Sequence, residues 1–299
     1  MTPPWKAIID IGSNTVLMLI ARRHADGRLE IAEDRALIAR LGEGAGASGQ
    51  LSPTAIARAL AALERHRDEA RSRDAAITAV TTEGVRMATN AGAFLEPATR
   101  LLGVPVRVIS GEEEAQLSYL SVARERGPGP LRVIDIGGAS TELVAGDGEA
   151  ITSIASHRIG SVRLHERLLA GADDPIGDPA AIDAVYAAAR EALAAQPLPP
   201  YPELHGLAGT VTTAAALLLD LPAYDRDAVD GARFSPAQVE ALRDRLAAMT
   251  VAARCEHPCL PRGRGDVIVA GLTILLAALA HCGASTLVCR DRGLRYALV

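Results

Sequence analysis

Two stretches of this sequence follow an aspartate with a glycine turn rich in hydroxyl and amide groups. The first is Asp10-Ile-Gly12-Ser13-Asn14-Thr15 and the second is Asp135-Ile-Gly137-Gly138-Ala139-Ser140-Thr141. A glycine behind a strand lets the backbone come close to a ligand. Successive amides in such a turn can converge on one phosphate. Ser13, Asn14, Thr15, Ser140 and Thr141 add side-chain donors. Asp10 and Asp135, at their strand ends, are placed to hold a hard cation directly or through water. One such turn alone reads equally as an ordinary glycine hairpin. Two copies of the same plan point to a phosphate cradle.

Two further segments could supply reacting groups. In Ser110-Gly-Glu-Glu-Glu-Ala115, Ser110 and Glu113 have capping-box spacing, which gives Glu113 a structural task. Acidic residues in a first turn also suit the helix dipole. Glu114 lies on a different azimuth and can face a cleft. In Thr81-Thr-Glu-Gly-Val-Arg86, Thr81 or Thr82 is expected to cap a short helix that puts Arg86 about one turn in. The planar fork of Arg86 could clamp phosphate oxygens; by spacing alone, a surface arginine explains it as well. Gly206-Leu-Ala-Gly-Thr210 opens an Ala/Leu helix whose first amides suit a phosphate or nucleotide, or simply a helix start. Cys255-x-His257-x-Cys259 lacks the paired spacing of zinc sites and reads as reduced thiols near a core. His157, His165, His205 and His281 show no metal spacing.

The elements that must position these groups repeat. Residues 6–23 read as strand, tight turn and return strand, and residues 131–146 repeat the plan about 125 positions later. A duplicated α/β domain is expected, with domains 1–125 and 126–299 meeting at the breaker-rich segment Glu125 to Pro130. Helices are expected over 53–72, 179–195, 210–219, 236–250 and 266–281, with Pro53 just inside the first. Short strands are expected over Ala76 to Val80, Val104 to Ile109 and Thr286 to Cys289, before a closing segment from Gly293 to Val299.

The 299 residues suffice for two domains. At 49% hydrophobic but 3% aromatic, the core must be built from Ala, Leu, Val and Ile. The net charge of -5 gives no basic balance for nucleic acid, so any polyanion must meet a local positive field or a metal. The longest apolar run, Val267 to Ala280, is shorter than the ~20 residues that span a bilayer. No segment at the start reads as a signal peptide, and a cytoplasmic location is expected.

Taken together, the motifs resemble the exopolyphosphatase / guanosine pentaphosphate phosphohydrolase family of the actin–Hsp70–sugar-kinase superfamily. The two Asp-Ile-Gly loops carry the resemblance with Leu41-Gly-Glu-Gly44, Thr82-Glu-Gly-Val-Arg86, Ile109-Ser-Gly-Glu-Glu-Glu-Ala115, Gly160-Ser-Val-Arg163, Gly206-Leu-Ala-Gly-Thr210, Arg264-Gly-Asp-Val-Ile268 and Asp291-Arg-Gly-Leu-Arg295. The resemblance implies duplicated RNase H-like domains around an interdomain cleft, in the short form of the family. It implies Glu114 as the base that activates water and Arg86 as an arginine on the scissile phosphate. It implies Asp135 and Glu142, with Asp10, around a catalytic Mg²⁺, and leaves a K⁺ requirement open. Gly12, Ser13, Asn14, Thr15, Gly137, Gly138, Ser140 and Thr141 would cradle phosphate. The implied activity is release of orthophosphate from inorganic polyphosphate, or of the 5′ γ-phosphate from guanosine pentaphosphate, by a homodimer acting on neither nucleic acid nor membrane. A non-catalytic sensor of polyphosphate or guanosine penta/tetraphosphate, and a kinase or ATPase of the same superfamily, are the alternatives from other classes. Two departures stand out: Ala139 replaces a third glycine, and Tyr296-Ala297 follow Arg295 where Glu-Gly is usual.

Overall fold

The computed structural model describes residues 2–172 and 174–299. The chain forms two compact units, Met1–Leu117 with Leu294–Val299, and Ser118–Gly293. The first holds β1 (Lys6–Ile11), β2 (Thr15–Arg23), β3 (Leu29–Ile38), α1 (Ala45–Ser48), α2 (Pro53–Ser72), β4 (Ala76–Thr81), α3 (Glu83–Arg86), α4 (Gly92–Leu102), β5 (Val106–Val108) and the first turns of α5 (Gly111–Arg126). The second takes the rest of α5, then β6 (Pro130–Ile136), β7 (Thr141–Asp147), β8 (Ala150–His157), α6 (Ser161–Leu164), a π-helical turn (His165–Leu169), α7 (Pro179–Leu193), β9 (Glu203–Leu207) and α8 (Ala208–Leu218). It continues through α9 (Arg226–Val229), β10 (Arg233–Phe234), α10 (Pro236–Ala247), α11 (Val251–Arg254), α12 (Ile268–His281) and β11 (Thr286–Cys289). The last helix, α13 (Leu294–Ala297), belongs to the first unit.

The duplication is visible in the sheets. The first runs β3-β2-β1-β4-β5, and the second contains the equivalent series β8-β7-β6-β9-β11, with β10 added at its edge. In both, three strands form an antiparallel meander and two more join in parallel. Central strands read as continuous apolar runs because helices cover both faces. Ala7, Ile8 and Ile9 of β1 are fully buried, and so are Leu143 to Ala145 of β7 to within 1%.

Each unit has its own core, and few aromatics enter either. In the first, Ile9, Ile11, Met18 and Ile20 pack with Leu63, Phe94 and Ala98 from α2 and α4. In the second, Ile134 and Leu143 pack with Val211, Leu242 and the length of α12. Every residue of α12 from Ile268 to Leu279 is buried. Among the described residues no helix is long and apolar enough to cross a membrane.

Three local expectations change. The strand expected over Val104 to Ile109 narrows to β5, because Pro105 has no N–H to give to a ladder. The closing segment forms α13 and is pinned to β3: Arg295 Nη2 donates to Asp34 Oδ1 at 2.8 Å, and the Tyr296 hydroxyl donates to Asp34 Oδ2. Tyr296, one of the two departures, is thus a buried structural residue, packed with Leu19 and Ala21. The division of the chain falls inside the unbroken α5, ahead of the Glu125 to Pro130 segment.

Candidate active site

In the first unit, Ile11, Thr81 and Val108 stand level at the carboxyl ends of the parallel strands β1, β4 and β5. Three candidate segments leave from this one edge: the Gly12–Asn14 turn, α3 with Arg86, and α5 with Glu114. Ligands of α/β sheets bind beyond such carboxyl ends. Hydrogen bonds lock the edge, since Thr81 Oγ1 donates to Ile11 O at 2.8 Å and Ile109 N to Thr81 O at 2.9 Å. Thr81 therefore does not cap α3, and Thr82, at the N-cap position, makes no side-chain cap bond.

The first turn closes with Gly12 N donating to Thr15 O at 3.0 Å. Its carbonyls are taken by the chain after β3. Ser13 O accepts from Gly42 N at 2.8 Å, and Asn14 O from Ala39 N at 3.0 Å and Arg40 N at 2.9 Å. Asn14 Oδ1 is buried without a hydrogen-bond partner, a cost of about 1–3 kcal/mol that a bound donor or cation can relieve, while Nδ2 is the part of Asn14 that can donate to an anion. Asp10 is half-buried, level with Leu17 and Val80 on the neighbouring strands.

Arg86 is held rather than free on the surface. Its Nη1 donates to Ile109 O at 2.7 Å and its Nη2 pairs with the buried Glu83. The guanidinium is thereby fixed beside the start of α5. There Ser110 Oγ accepts from Glu113 N at 3.0 Å, the expected cap. The carboxylate of Glu113 pairs with Arg107 Nη2 at 3.0 Å, so an ion pair replaces the return half of the box. Glu114 follows in the same first turn and is half-buried.

The second unit repeats the turn. Gly137 N donates to Ser140 O at 3.0 Å, matching the first copy. Here α6 takes the carbonyls: Ser161 N donates to Gly137 O at 2.9 Å, Val162 N and Arg163 N to Gly138 O at 3.0 Å, and Arg163 Nε to Ala139 O at 2.8 Å. Turning both sets of carbonyls inward leaves the turn amides as the groups that can meet an anion. Thr141 is fully buried and donates from Oγ1 to Ile159 O at 2.7 Å, so it braces the turn. Ala139 is not among the residues with positive φ, so its methyl brings no backbone strain.

Asp135 of β6 stands directly opposite Glu142 of β7, which stands opposite Ser156 of β8. Directly opposed side chains share a face, with Cβ atoms about 4.5–5.5 Å apart. Ser118 Oγ donates to Asp135 Oδ2 at 2.7 Å, and Ser156 Oγ to Glu142 Oε1 at 2.7 Å. Asp135 is half-buried, and Glu142 is 1% exposed. This is a hard, all-oxygen donor pair. No group of three or more His, Cys, Asp or Glu gathers for a metal among the described residues. Two carboxylates completed by waters and substrate phosphates suit magnesium, which rarely sits in an all-protein cage.

At α8, Arg264 Nη1 donates to Thr213 Oγ1 at 2.8 Å and to Gly209 O at 3.3 Å, and burial lowers the guanidinium pKa. Residue spacing does not single out Glu83, Ser118, Ser156 or Arg163. Glu83 alone carried a local signal, sitting three places before Arg86 on one helix.

A family model described as the Ppx/GppA phosphatase family matches residues 19–299. The chain belongs to this family. The Ppx/GppA sequence is 34% identical over 287 residues to Exopolyphosphatase 2 of Mycobacterium tuberculosis, across 90% of this chain and 88% of that protein. The crystal structure of the Aquifex aeolicus Ppx/GppA family member matches with a TM-score of 0.82 at 31% identity, over 99% of this chain and 96% of that one. An exopolyphosphatase from Cytophaga hutchinsonii matches with a TM-score of 0.88 at 22% identity, over 98% and 96% of the two chains, and speaks to fold alone. The fold of this Ppx/GppA phosphatase is the duplicated RNase H-like fold of the actin superfamily.

Proposed function

We propose that this phosphatase is an exopolyphosphatase that hydrolyses the terminal phosphoanhydride of inorganic polyphosphate and releases orthophosphate. The observation that carries the reading is the pair of matched turns, Gly12–Thr15 and Gly137–Ser140, each closed by the same 3.0 Å bond. The M. tuberculosis relative named as an exopolyphosphatase supports the choice of substrate.

In this mechanism the turn amides, with Ser13, Asn14 and Ser140, are the groups that bind and orient phosphate, while Thr15 and Thr141 brace their turns. Arg86 lays its fork on the scissile phosphoryl group. Glu114 takes a proton from water as the water oxygen bonds to the terminal phosphorus. The bridging P–O bond breaks, and the shortened chain leaves as an oxyanion. Asp135 and Glu142 would hold magnesium, and Asp10 stands at the equivalent place in the first copy. Bound by that pair, the ion neutralises phosphate charge and acts as a Lewis acid. On this proposal the enzyme works in the cytoplasm as a homodimer, and a potassium requirement stays open.

The test is phosphate release from long polyphosphate, short polyphosphate and guanosine pentaphosphate, with and without a chelator. Release from polyphosphate that stops on chelation and returns with Mg²⁺ is the expected outcome. Faster release from guanosine pentaphosphate would move the assignment to that substrate. Tight polyphosphate binding with no release would leave a sensor.

A further inference from the structure

Asp135 and Glu142 share a feature that their sequence neighbourhoods do not show. Each accepts a hydrogen bond from a serine of a different element, and both bonds measure 2.7 Å. Ser118 comes from α5, the helix that also carries Glu114, and is 1% exposed. Ser156 comes from β8 and sits directly across the sheet from Glu142. The order Ser156, Glu142, Asp135 therefore runs straight across three strands, and Ser118 closes the row from the helix.

A carboxylate offers two oxygens and about four acceptor positions. A hydroxyl that occupies one of them fixes the rotamer of the group. It adds no positive charge of its own. An arginine in the same place would orient the group too, but would cancel the charge that a cation needs. Neighbours of this kind, one step removed from a metal, typically govern affinity by about 10–100-fold.

We propose that Ser118 and Ser156 are positioning residues that orient Asp135 and Glu142 for a divalent cation. The proposal rests on the reading of Asp135 and Glu142 as the cation-holding pair. Neither serine touches the reacting atoms. Ser121 supplies an internal control, because it is a buried serine on the same helix whose Oγ donates to the backbone carbonyl of Ser118 at 2.7 Å.

The experiment measures Mn²⁺ binding to the metal-free full-length chain by electron paramagnetic resonance, with no substrate present. Ser118→Ala and Ser156→Ala are each expected to weaken Mn²⁺ about 10-fold. Ser118→Thr and Ser156→Thr keep the hydroxyl and are expected to recover most of that loss. Ser121→Ala should bind as the wild type does. In assays of phosphate release, the alanine variants should raise the Mg²⁺ concentration needed for half-maximal rate more than they lower the rate at saturating Mg²⁺. Wild-type Mn²⁺ affinity in both alanine variants, alongside a weakened Asp135→Asn, would overturn the proposal and leave the carboxylate reading standing. Wild-type affinity in Asp135→Asn and Glu142→Gln would overturn both. An equal loss in Ser121→Ala would assign the effect to helix packing and also overturn the proposal.

Discussion

Arg86 shows how far residue type and spacing reach, and where they stop. The sequence places it one turn into a short helix, and the structure keeps it there. What fixes it is Glu83 and the carbonyl of Ile109, whose lone pair no pattern announces. The single point charge of lysine cannot reproduce a fork that serves Glu83, Ile109 and a phosphate together. Arg86→Lys is expected to lower kcat about 10-fold or more while leaving the thermal midpoint within a few degrees. Steady-state phosphate release and a melt on the same preparation check this. Residues whose task is local, such as Ser110 as the cap of α5, were legible from three positions of sequence. Residues whose partner is distant were not: Ser118 meets Asp135 across 17 positions and Ser156 meets Glu142 across 14.

Elements were more legible than their supports. The helix over 53–72 appears with those bounds because its start signals are local: Ser52 accepts from Ala55 N, and Pro53 sits at the first turn. The duplicated strand-turn-strand units were equally plain, since apolar runs ending in Asp-Ile-Gly occur twice. The brace behind the second turn was not, because it depends on α6 approaching the carbonyls of Gly137, Gly138 and Ala139. That approach requires Gly160. A methyl at Gly160 would lie 2.5 Å from Gly138 C and 2.6 Å from Ala139 N, closer than packed atoms allow. The backbone of Gly160 is extended at φ -154, so the demand is for space and not for conformation. Gly160→Ala is expected to cost about 1–3 kcal/mol in urea unfolding, as overpacking does. It should also lower phosphate release at temperatures where the variant is fully folded, because the turn amides shift with the backbone. Unchanged release from a folded variant would show that the turn does not need this brace.

At the scale of the whole molecule, stability against acid should bear the mark of His205. Burial, then the charges of Arg290 and Arg126, push its pKa down to about 4, against the opposing pull of Glu203. The unfolded chain takes up this proton near pH 6.5 and the folded chain only near pH 4. Stability is therefore complete above about pH 6.5, is lost as pH falls toward 4, and levels off below. His205→Gln is expected to flatten the fall of the thermal midpoint between those values, whatever it does to the midpoint itself; equal slopes would remove His205 from the account. The duplication was readable from sequence because both copies begin with the same motif; the strand order of the sheets was not. The division inside α5 was not, because a helix without a breaker gives no signal of where one compact unit ends. The central claim remains that a phosphate cradle in this chain serves hydrolysis, with Glu114 as the base. Phosphate release from polyphosphate by Glu114→Gln beside the wild type tests it most directly. The account predicts a folded variant with release lower by about 10²–10⁴-fold at saturating Mg²⁺; release at the wild-type rate would contradict it.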